Sequence, residues 1–295
     1  LAPERALGRI GHLWIIGSGR TGLSLGLLLH RNAAVERLTI TGRRPAAPAH
    51  PLFPADAEYR RSLDAVPDAV DGIVIAVPDG AIREVADRIA ALPVLASTPV
   101  LHTSGSRSTD VLGGLAERGH PVGSAHPLAA IADPVSGAER LRGVAWGIEG
   151  TGAARTLAEA VVHACEGRML AIAPGGKPVY HAAAVFASNY AVALLAVAER
   201  LMDAAGVAGD EARTALAGLA RGAVENVARS GPVAALTGPV ARGDVETVAL
   251  HLERLSEAER PLYCSLGREA LHLARQTGLD SAAAARLADL LGEAE

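Results

Sequence analysis

The stretch His12-Leu13-Trp14-Ile15-Ile16-Gly17-Ser18-Gly19-Arg20-Thr21-Gly22 decides how the rest of the chain is read. A short apolar run stopped by glycine has the pattern of a buried strand. Leu23, Leu25, Leu27, Leu28 and Leu29 then follow in a helical stretch. A Gly-x-Gly-x-x-Gly turn between strand and helix is the context that dinucleotide binding requires. Gly17 permits the tight turn, Gly19 admits a pyrophosphate to the helix N-terminus, and Gly22 lets helix and strand pack closely. Gly26 continues that close contact one turn later, and Ser18, Arg20 and Thr21 complete the cofactor-binding turn.

Outward from this turn, strand-like and helix-like patterns alternate. Leu38–Thr41, Gly72–Val77, Val100–Thr103, Val122–Ala125, Val144–Ile148 and Met169–Ile172 read as strands. Ala81–Leu92 has helical periodicity, and Pro45, Pro48, Pro51 and Pro54 mark a loop. Alternation of this kind predicts an α/β fold with a doubly wound, mostly parallel sheet. After Pro174-Gly175-Gly176 the pattern becomes Ala/Leu-rich and helical, with breaks near 206–209, 230–232, 238–239 and 278. Two domains are therefore expected: a dinucleotide-binding domain over 1–173 and an all-helical substrate domain over 174–295.

Composition narrows the function classes. The chain of 295 residues carries 28 Lys plus Arg against 32 Asp plus Glu, a formal charge of −4, which gives no global electrostatic case for nucleic acid. Cys165 and Cys264 lie far apart and outside any metal-ligand spacing, which fits a reducing compartment. The opening residues LAPERALGRIGHLW have no basic start, apolar run and cleavage site in sequence. The apolar stretch Ala182–Met202 is interrupted by Ser188, Asn189, Tyr190, Glu199 and Arg200, so it reads as a buried helix rather than a membrane span. A soluble, cytoplasmic protein with no membrane partner is expected.

The residues ending the second strand, Thr41-Gly42-Arg43-Arg44, include no acid. An acid there binds the ribose hydroxyls of NAD, whereas arginines accommodate the 2′-phosphate of NADP, so Arg43 and Arg44 favour NADP(H). Loops that leave strand carboxyl ends line the ligand crevice of such a sheet. Val77-Pro78-Asp79 and His102-Thr103-Ser104 are two of these, placing Val77, Pro78 and Ser104 near the nicotinamide, and Ser124-Ala125-His126-Pro127 is a third. His102 reads as a hydrogen-bonded sheet residue, while His126 is equally a sheet residue and a catalytic candidate.

Of the 28 basic residues, 27 are arginine and one is lysine, Lys177. A chain that uses Arg everywhere else retains an amine here, a compact donor with a tunable pKa. Pro178 suits the first turn of a helix, which puts Lys177 at its cap. At 3.6 residues per turn, His181, Ala184 and Ser188 lie within about 40° of one another beneath Lys177, with Asn189 at the margin. This polar stripe reads as the wall of a site for an anionic or carbonyl substrate. Lys177 is the acid and oxyanion stabiliser, His181 assists, and Ser188 and Asn189 orient the substrate. In Leu236–Asp244, Gly238-Pro239 fixes a turn and Asp244 begins a helix. Thr237 and Arg242 are candidate substrate-binding residues there, Arg242 for a carboxylate.

These pieces together resemble a known family. GSGRTG at 17–22, AVPDGAI at 76–82, LHTSGS at 101–106, AHPL at 125–128, KPVYHAAAVFASNY at 177–190 and LTGPVARGD at 236–244 are similar to bacterial Rossmann-like oxidoreductases. The C-terminal half of those proteins is a domain of unknown function. They belong to the 6-phosphogluconate-dehydrogenase-like group, with ketopantoate reductase and pyrroline-5-carboxylate reductase as relatives. The resemblance implies an N-terminal NADP-binding domain and a helical C-terminal domain that forms a homodimer. It implies an NADPH-dependent reductase of a small carbonyl or 2-oxo acid, ketopantoate among the candidates. Related 3-hydroxyacid dehydrogenases carry Asn four residues after the lysine, where this chain has His181. Prephenate-type dehydrogenases use a His in a His-Pro turn, which His126-Pro127 resembles. Two alternatives therefore stand: an NADP-dependent hydroxy-acid dehydrogenase using His126, and an NADP-binding module without turnover.

Overall fold

The computed structural model describes residues 9–53 and 57–293. The chain divides into two compact units, Leu1–Asn189 and Tyr190–Glu295. Pro54 of the proline loop and the opening residues 1–8 lie outside the described residues.

The first unit runs β1 (Ile10–Ile16), α1 (Arg20–Arg31), β2 (Val35–Thr41), β3 (Ala57–Arg60), β4 (Gly72–Ile75), α2 (Ile82–Ala90) and β5 (Val100–His102). It continues with α3 (Gly113–Glu117), β6 (Val122–Pro127), α4 (Ser136–Arg140), β7 (Ala145–Gly150), α5 (Gly152–Ala164), β8 (Arg168–Ala171) and α6 (Lys177–Val185). The strands form one sheet in the order β3-β2-β1-β4-β5-β6-β7-β8. Every neighbouring pair is parallel except β6 and β7.

The apolar run of β1 is continuous because both faces of the sheet are covered. Leu13 and Ile15 join one core cluster with Leu25 and Leu28 of α1, and Trp14 and Ile16 join another with Ile82, Val85 and Ile89 of α2. The alternation follows the two-residue period of a strand. Register then sets the site: Ile16 pairs with Ile75, Ile75 with His102, and His102 with Ser124. The carboxyl ends of β1, β4, β5 and β6 thus form one row. The loops that leave it emerge beside the β1–β4 junction, where strand order reverses and ligands bind in such sheets.

Two elements depart from the sequence reading. Strand β3, Ala-Glu-Tyr-Arg, is a four-residue edge strand too short to stand out in the sequence; Leu38–Thr41 pairs with Ala57–Arg60, and Ala57 and Tyr59 pack against the core. The helix opened by Lys177 passes through a π-turn at Phe186–Tyr190 before α7 (Ala191–Ala204). A π-turn inserts an extra residue per turn, so the 3.6-residue stripe expected to carry Ser188 and Asn189 loses its phase there.

The second unit contains α7, α8 (Gly209–Ala235), α9 (Pro239–Arg242), α10 (Val245–Arg254), α11 (Arg260–Arg275) and α12 (Ser281–Leu291). Among the described residues it has no strand. Its core holds Val240, Val248, Leu271, Leu287 and Leu291. The Asp244 carboxylate accepts from the Thr247 N–H at 3.0 Å and the Asp280 carboxylate from the Ala283 N–H at 2.9 Å, capping α10 and α12. The breaks read from glycine and proline are present: Gly206, Gly209, Gly231, Gly238 and Gly278 all have positive φ.

The stretch read as a buried helix is not one. In Lys177–Ala204, long and apolar enough by length and composition to cross a membrane, none of the most apolar window is buried. Val192 is 68% exposed and Phe186 70%. Its apolar composition registers a need for cover that the described residues of the chain do not meet. The compact units divide after Asn189, and Lys177, Tyr180 and His181 of α6 pack into the first unit.

Candidate active site

The glycine-rich turn is built as its spacing requires. Gly17 has φ +129°, a conformation L side chains avoid, and a Cβ there would collide with the carbonyl of Ala76. A Cβ on Gly22 would collide with the Gly17 carbonyl, whereas one on Gly19 would meet nothing within 4 Å. Open space therefore lies over the one glycine where a ligand needs it. Helix α1 has no side-chain cap and no acid in its first turn, so its leading N–H groups and its dipole favour an anion. Arg43 and Arg44 follow β2 and are exposed, as is Arg20. This donor set fits the phosphates of a dinucleotide.

Beside the turn is a cavity of about 340 Å³. Arg20 and Thr21 line it from the start of α1, Val77 and Asp79 from the loop after β4, and Thr103, Ser104 and Gly105 from the loop after β5. His126, Pro127, Ala129 and Ile131 close it from the end of β6, and His181 from α6. Pro78 only precedes the 3-10 turn Asp79–Ala81. The Ser106 hydroxyl donates to Asp79 Oδ2 at 2.6 Å. Burial raises the Asp79 pKa, but this bond, with Ser104 also contributing, outweighs it and holds the carboxyl below the usual range.

The loop after β5 is fixed from beneath. His102, fully buried, accepts the Ser104 N–H at Nδ1 (3.2 Å) and has Nε2 3.2 Å from the Ser108 carbonyl. Ser104 Oγ accepts the N–H groups of Ser106 and Arg107. Lys177 is also fully buried and does not line the cavity. Its Nζ donates to the Ser104 carbonyl at 2.7 Å and reaches Ser124 Oγ at 3.1 Å, and that hydroxyl lies 3.4 Å from Glu149. Burial lowers the Lys177 pKa to about 8, with Glu149 and Asp79 opposing. Lysine burial is tolerated here because two oxygens receive the amine.

Two histidines meet over Gly105. A Cβ on that residue would lie 2.5 Å from His181 Nδ1 and 2.8 Å from His126 Nε2, and the rings pack edge to face with centroids 5.7 Å apart. His181 Nδ1 is buried with no hydrogen-bond partner among the described residues. That atom has essentially no accessible surface, so it is an uncompensated polar group packed against the Gly105 backbone rather than one that faces the cavity. His126 Nδ1 lies 3.0 Å from the Tyr180 hydroxyl. Burial first, then the charge of Lys177, lower the His126 pKa to about 4, so its imidazole is neutral at neutral pH.

Of the residues expected at the site, Arg20, Thr21, Val77, Ser104, His126 and His181 thus converge on the cavity. Lys177 lies beneath its loop. Ser188 is half-buried, Asn189 is exposed, and neither lines the cavity. Thr237 and Arg242 belong to the second unit, where both are exposed, and Pro239–Arg242 forms a short helix in place of the simple turn expected. Tyr180 and Asp79 were not singled out, although Tyr180 stands three residues after Lys177 and one before His181.

Residues 144–270 match the family model described as Domain of unknown function (DUF2520). No curated protein matches the sequence. Among solved structures, protein TM1727 from Thermotoga maritima is similar at 21% identity and TM-score 0.69, over 90% of this chain and 99% of that one. Plasmodium falciparum pyrroline carboxylate reductase with NADP bound is similar at 14% identity and TM-score 0.61, over 95% and 97%. A reductive aminase from Aspergillus terreus is similar at 18% identity and TM-score 0.57, over 96% and 93%. At these identities the likeness is one of fold, and a fold shared with 241 solved chains does not select a substrate. The chain has a Rossmann-like sheet followed by a helical C-terminal unit, and its residues 144–270 carry the DUF2520 match.

Proposed function

We propose that the protein is an NADPH-dependent reductase of a small carbonyl or 2-oxo acid. The observation that carries this reading is the cavity beside the open Gly19 turn, lined by Arg20, Asp79, His126 and His181. Gly17–Gly22 and the start of α1 hold the pyrophosphate, and Arg43 and Arg44 take the 2′-phosphate. Bound NADPH supplies the hydride. The neutral His126 imidazole hydrogen-bonds the substrate oxygen over Gly105, His181 delivers its proton, and Arg20 offers positive charge to a substrate carboxylate. Lys177 keeps the Ser104 carbonyl, and with it the Gly105 peptide, under the two imidazoles, so it acts on the reaction through the loop. The NADP named with the pyrroline carboxylate reductase and the amine chemistry named for the aminase support adding C=N substrates to those tested.

The test is a panel of 2-oxo acids, ketopantoate first, and cyclic imines including pyrroline-5-carboxylate, followed by NADPH oxidation. Turnover of at least one compound, with NADPH preferred to NADH, is expected. Lys177→Met should retain NADPH binding and lose at least about tenfold in turnover. Tight NADPH binding with no turnover across the panel would instead identify a binding module. The reverse direction, oxidation of a hydroxy acid with His126 as base, is favoured by one observation, the neutral imidazole at neutral pH; hydroxy acids with NADP address it. A second copy of the chain is the proposed cover for the exposed apolar surface of the helical unit.

A further inference from the structure

One polar group behind the cavity wall has no part in this reading, the Tyr180 hydroxyl, which abuts His126. Lys177, Tyr180 and His181 sit at i, i+3 and i+4 of α6 and so share a face. The Tyr180 ring meets His126 edge-on, with centroids 5.6 Å apart and planes at 88°. Its seat is Gly147 of β7, the register partner of His126 on β6. A Cβ at 147 would lie 2.6 Å from the phenol oxygen and from Cζ. The sheet therefore holds an empty slot directly beside His126, and the phenol fills it. The hydroxyl is 3.0 Å from His126 Nδ1 and 3.5 Å from the His126 carbonyl, so the ring nitrogen is the better-placed partner.

Resting on the reductase reading, we propose that Tyr180 is a positioning residue for His126. Its hydroxyl donates to Nδ1, so Nε2 bears the imidazole proton and presents N–H to the cavity over Gly105. The hydrogen bond made at one imidazole nitrogen sets the state of the other. A neutral imidazole that presents N–H polarises a substrate oxygen or nitrogen, whereas its other tautomer presents a lone pair and repels it. Burial raises the phenol pKa, against the pull of the Gly147 N–H, so the hydroxyl keeps the proton it donates.

Side-chain 15N NMR of the whole protein, with the His126 signals assigned by their loss in His126→Gln, reads the tautomer directly and needs no substrate. The wild type at pH 7.5 should show His126 mainly protonated at Nε2. Tyr180→Phe keeps the ring in its slot and removes only the donor. It should abolish that preference and lower kcat by about tenfold to hundredfold, with NADPH affinity unchanged. A wild-type His126 protonated mainly at Nδ1 overturns the proposal without any variant, as does a Tyr180→Phe protein that keeps the wild-type tautomer. A shifted tautomer with no turnover of any panel compound in the wild type supports the Tyr180 role and counts against the reductase reading alone.

Discussion

His102 binds its surroundings only in the neutral state. Nδ1 accepts the Ser104 N–H, and Nε2 faces the Ser108 carbonyl, which only accepts, so the single ring proton belongs on Nε2. Protonating Nδ1 would set two N–H groups against each other in a buried site. Burial first, then the charge of Lys177, lower the pKa accordingly from 6.5 to about 4. As pH falls below 6.5 the unfolded chain takes up a proton that the folded chain refuses until about 4. Stability is therefore unpenalised above 6.5 and lost between 6.5 and 4, by up to about 3 kcal/mol from this residue. His102→Asn should be less stable than wild type at pH 8 by about 1–3 kcal/mol, because buried partners lose their bonds. Its stability should fall less steeply than that of wild type from pH 6.5 to 4.5, and urea titrations at several pH values compare the slopes. Equal slopes would show that His102 titrates normally. Some of this chemistry is legible from the sequence: Lys177 stands out as the one lysine, and His126 by its His-Pro turn. Their arrangement is not, because the burial of Lys177 beneath the Ser104 loop joins residues 73 apart in the chain, and the pairing of Gly147 with His126 depends on the register of β6 against β7.

Helix α8 shows what the helical unit owes to single glycines. The run Gly209–Ala235 contains a break at Gly231, with φ 78° and ψ 165°, followed by Pro232. That region of backbone space is essentially reserved for glycine, and any other residue there costs about 1–3 kcal/mol. Neither Gly231 nor Gly222, in the regular part of the same helix, has an atom within 4 Å of a would-be Cβ. Contacts therefore cancel and conformation alone decides the sign. Gly231→Ala should destabilise by about 1–3 kcal/mol, and Gly222→Ala should stabilise by about 0.5–1 kcal/mol. Thermal melts followed by circular dichroism separate the two; a Gly231→Ala protein that melts at or above wild type would contradict the strained break. Glycine and proline mark such breaks in the sequence itself, which is why those near 206–209, 230–232, 238–239 and 278 were readable, whereas the break at 255–259 between α10 and α11 has neither residue and was not. Strand β3 and the π-turn were not. The first is four residues long, too short for its alternation to stand out apart from its edge pairing with β2, and the second leaves no residue signature in Phe186–Tyr190.

At the scale of the molecule, the helical unit leaves large apolar side chains exposed on three helices. Val192 and Leu194 of α7, Leu219, Val224 and Val227 of α8, and Leu262 and Leu266 of α11 are between 37% and 74% exposed. Large apolar side chains left exposed in number point to an interaction site where they adjoin, and each gains about 1.5–3 kcal/mol when fully buried. A bilayer is a poor cover, because Arg213, Arg221, Glu225 and Arg229 interleave with the apolar residues of α8 and hydrocarbon rejects charge. A protein interface takes the same pattern easily, with apolar side chains at its centre and charged ones at its rim. The proposed cover, a second copy of the chain, would be self-complementary about a two-fold axis. Sedimentation equilibrium at about 20 µM, well above the dissociation constant of a stable homodimer, should give twice the chain mass. Val192→Asp combined with Val224→Asp places carboxylates in that apolar surface, which should return the protein to single chains with its circular dichroism spectrum unchanged. A wild type that sediments as single chains, or a double variant that still pairs, would leave this surface without the proposed partner.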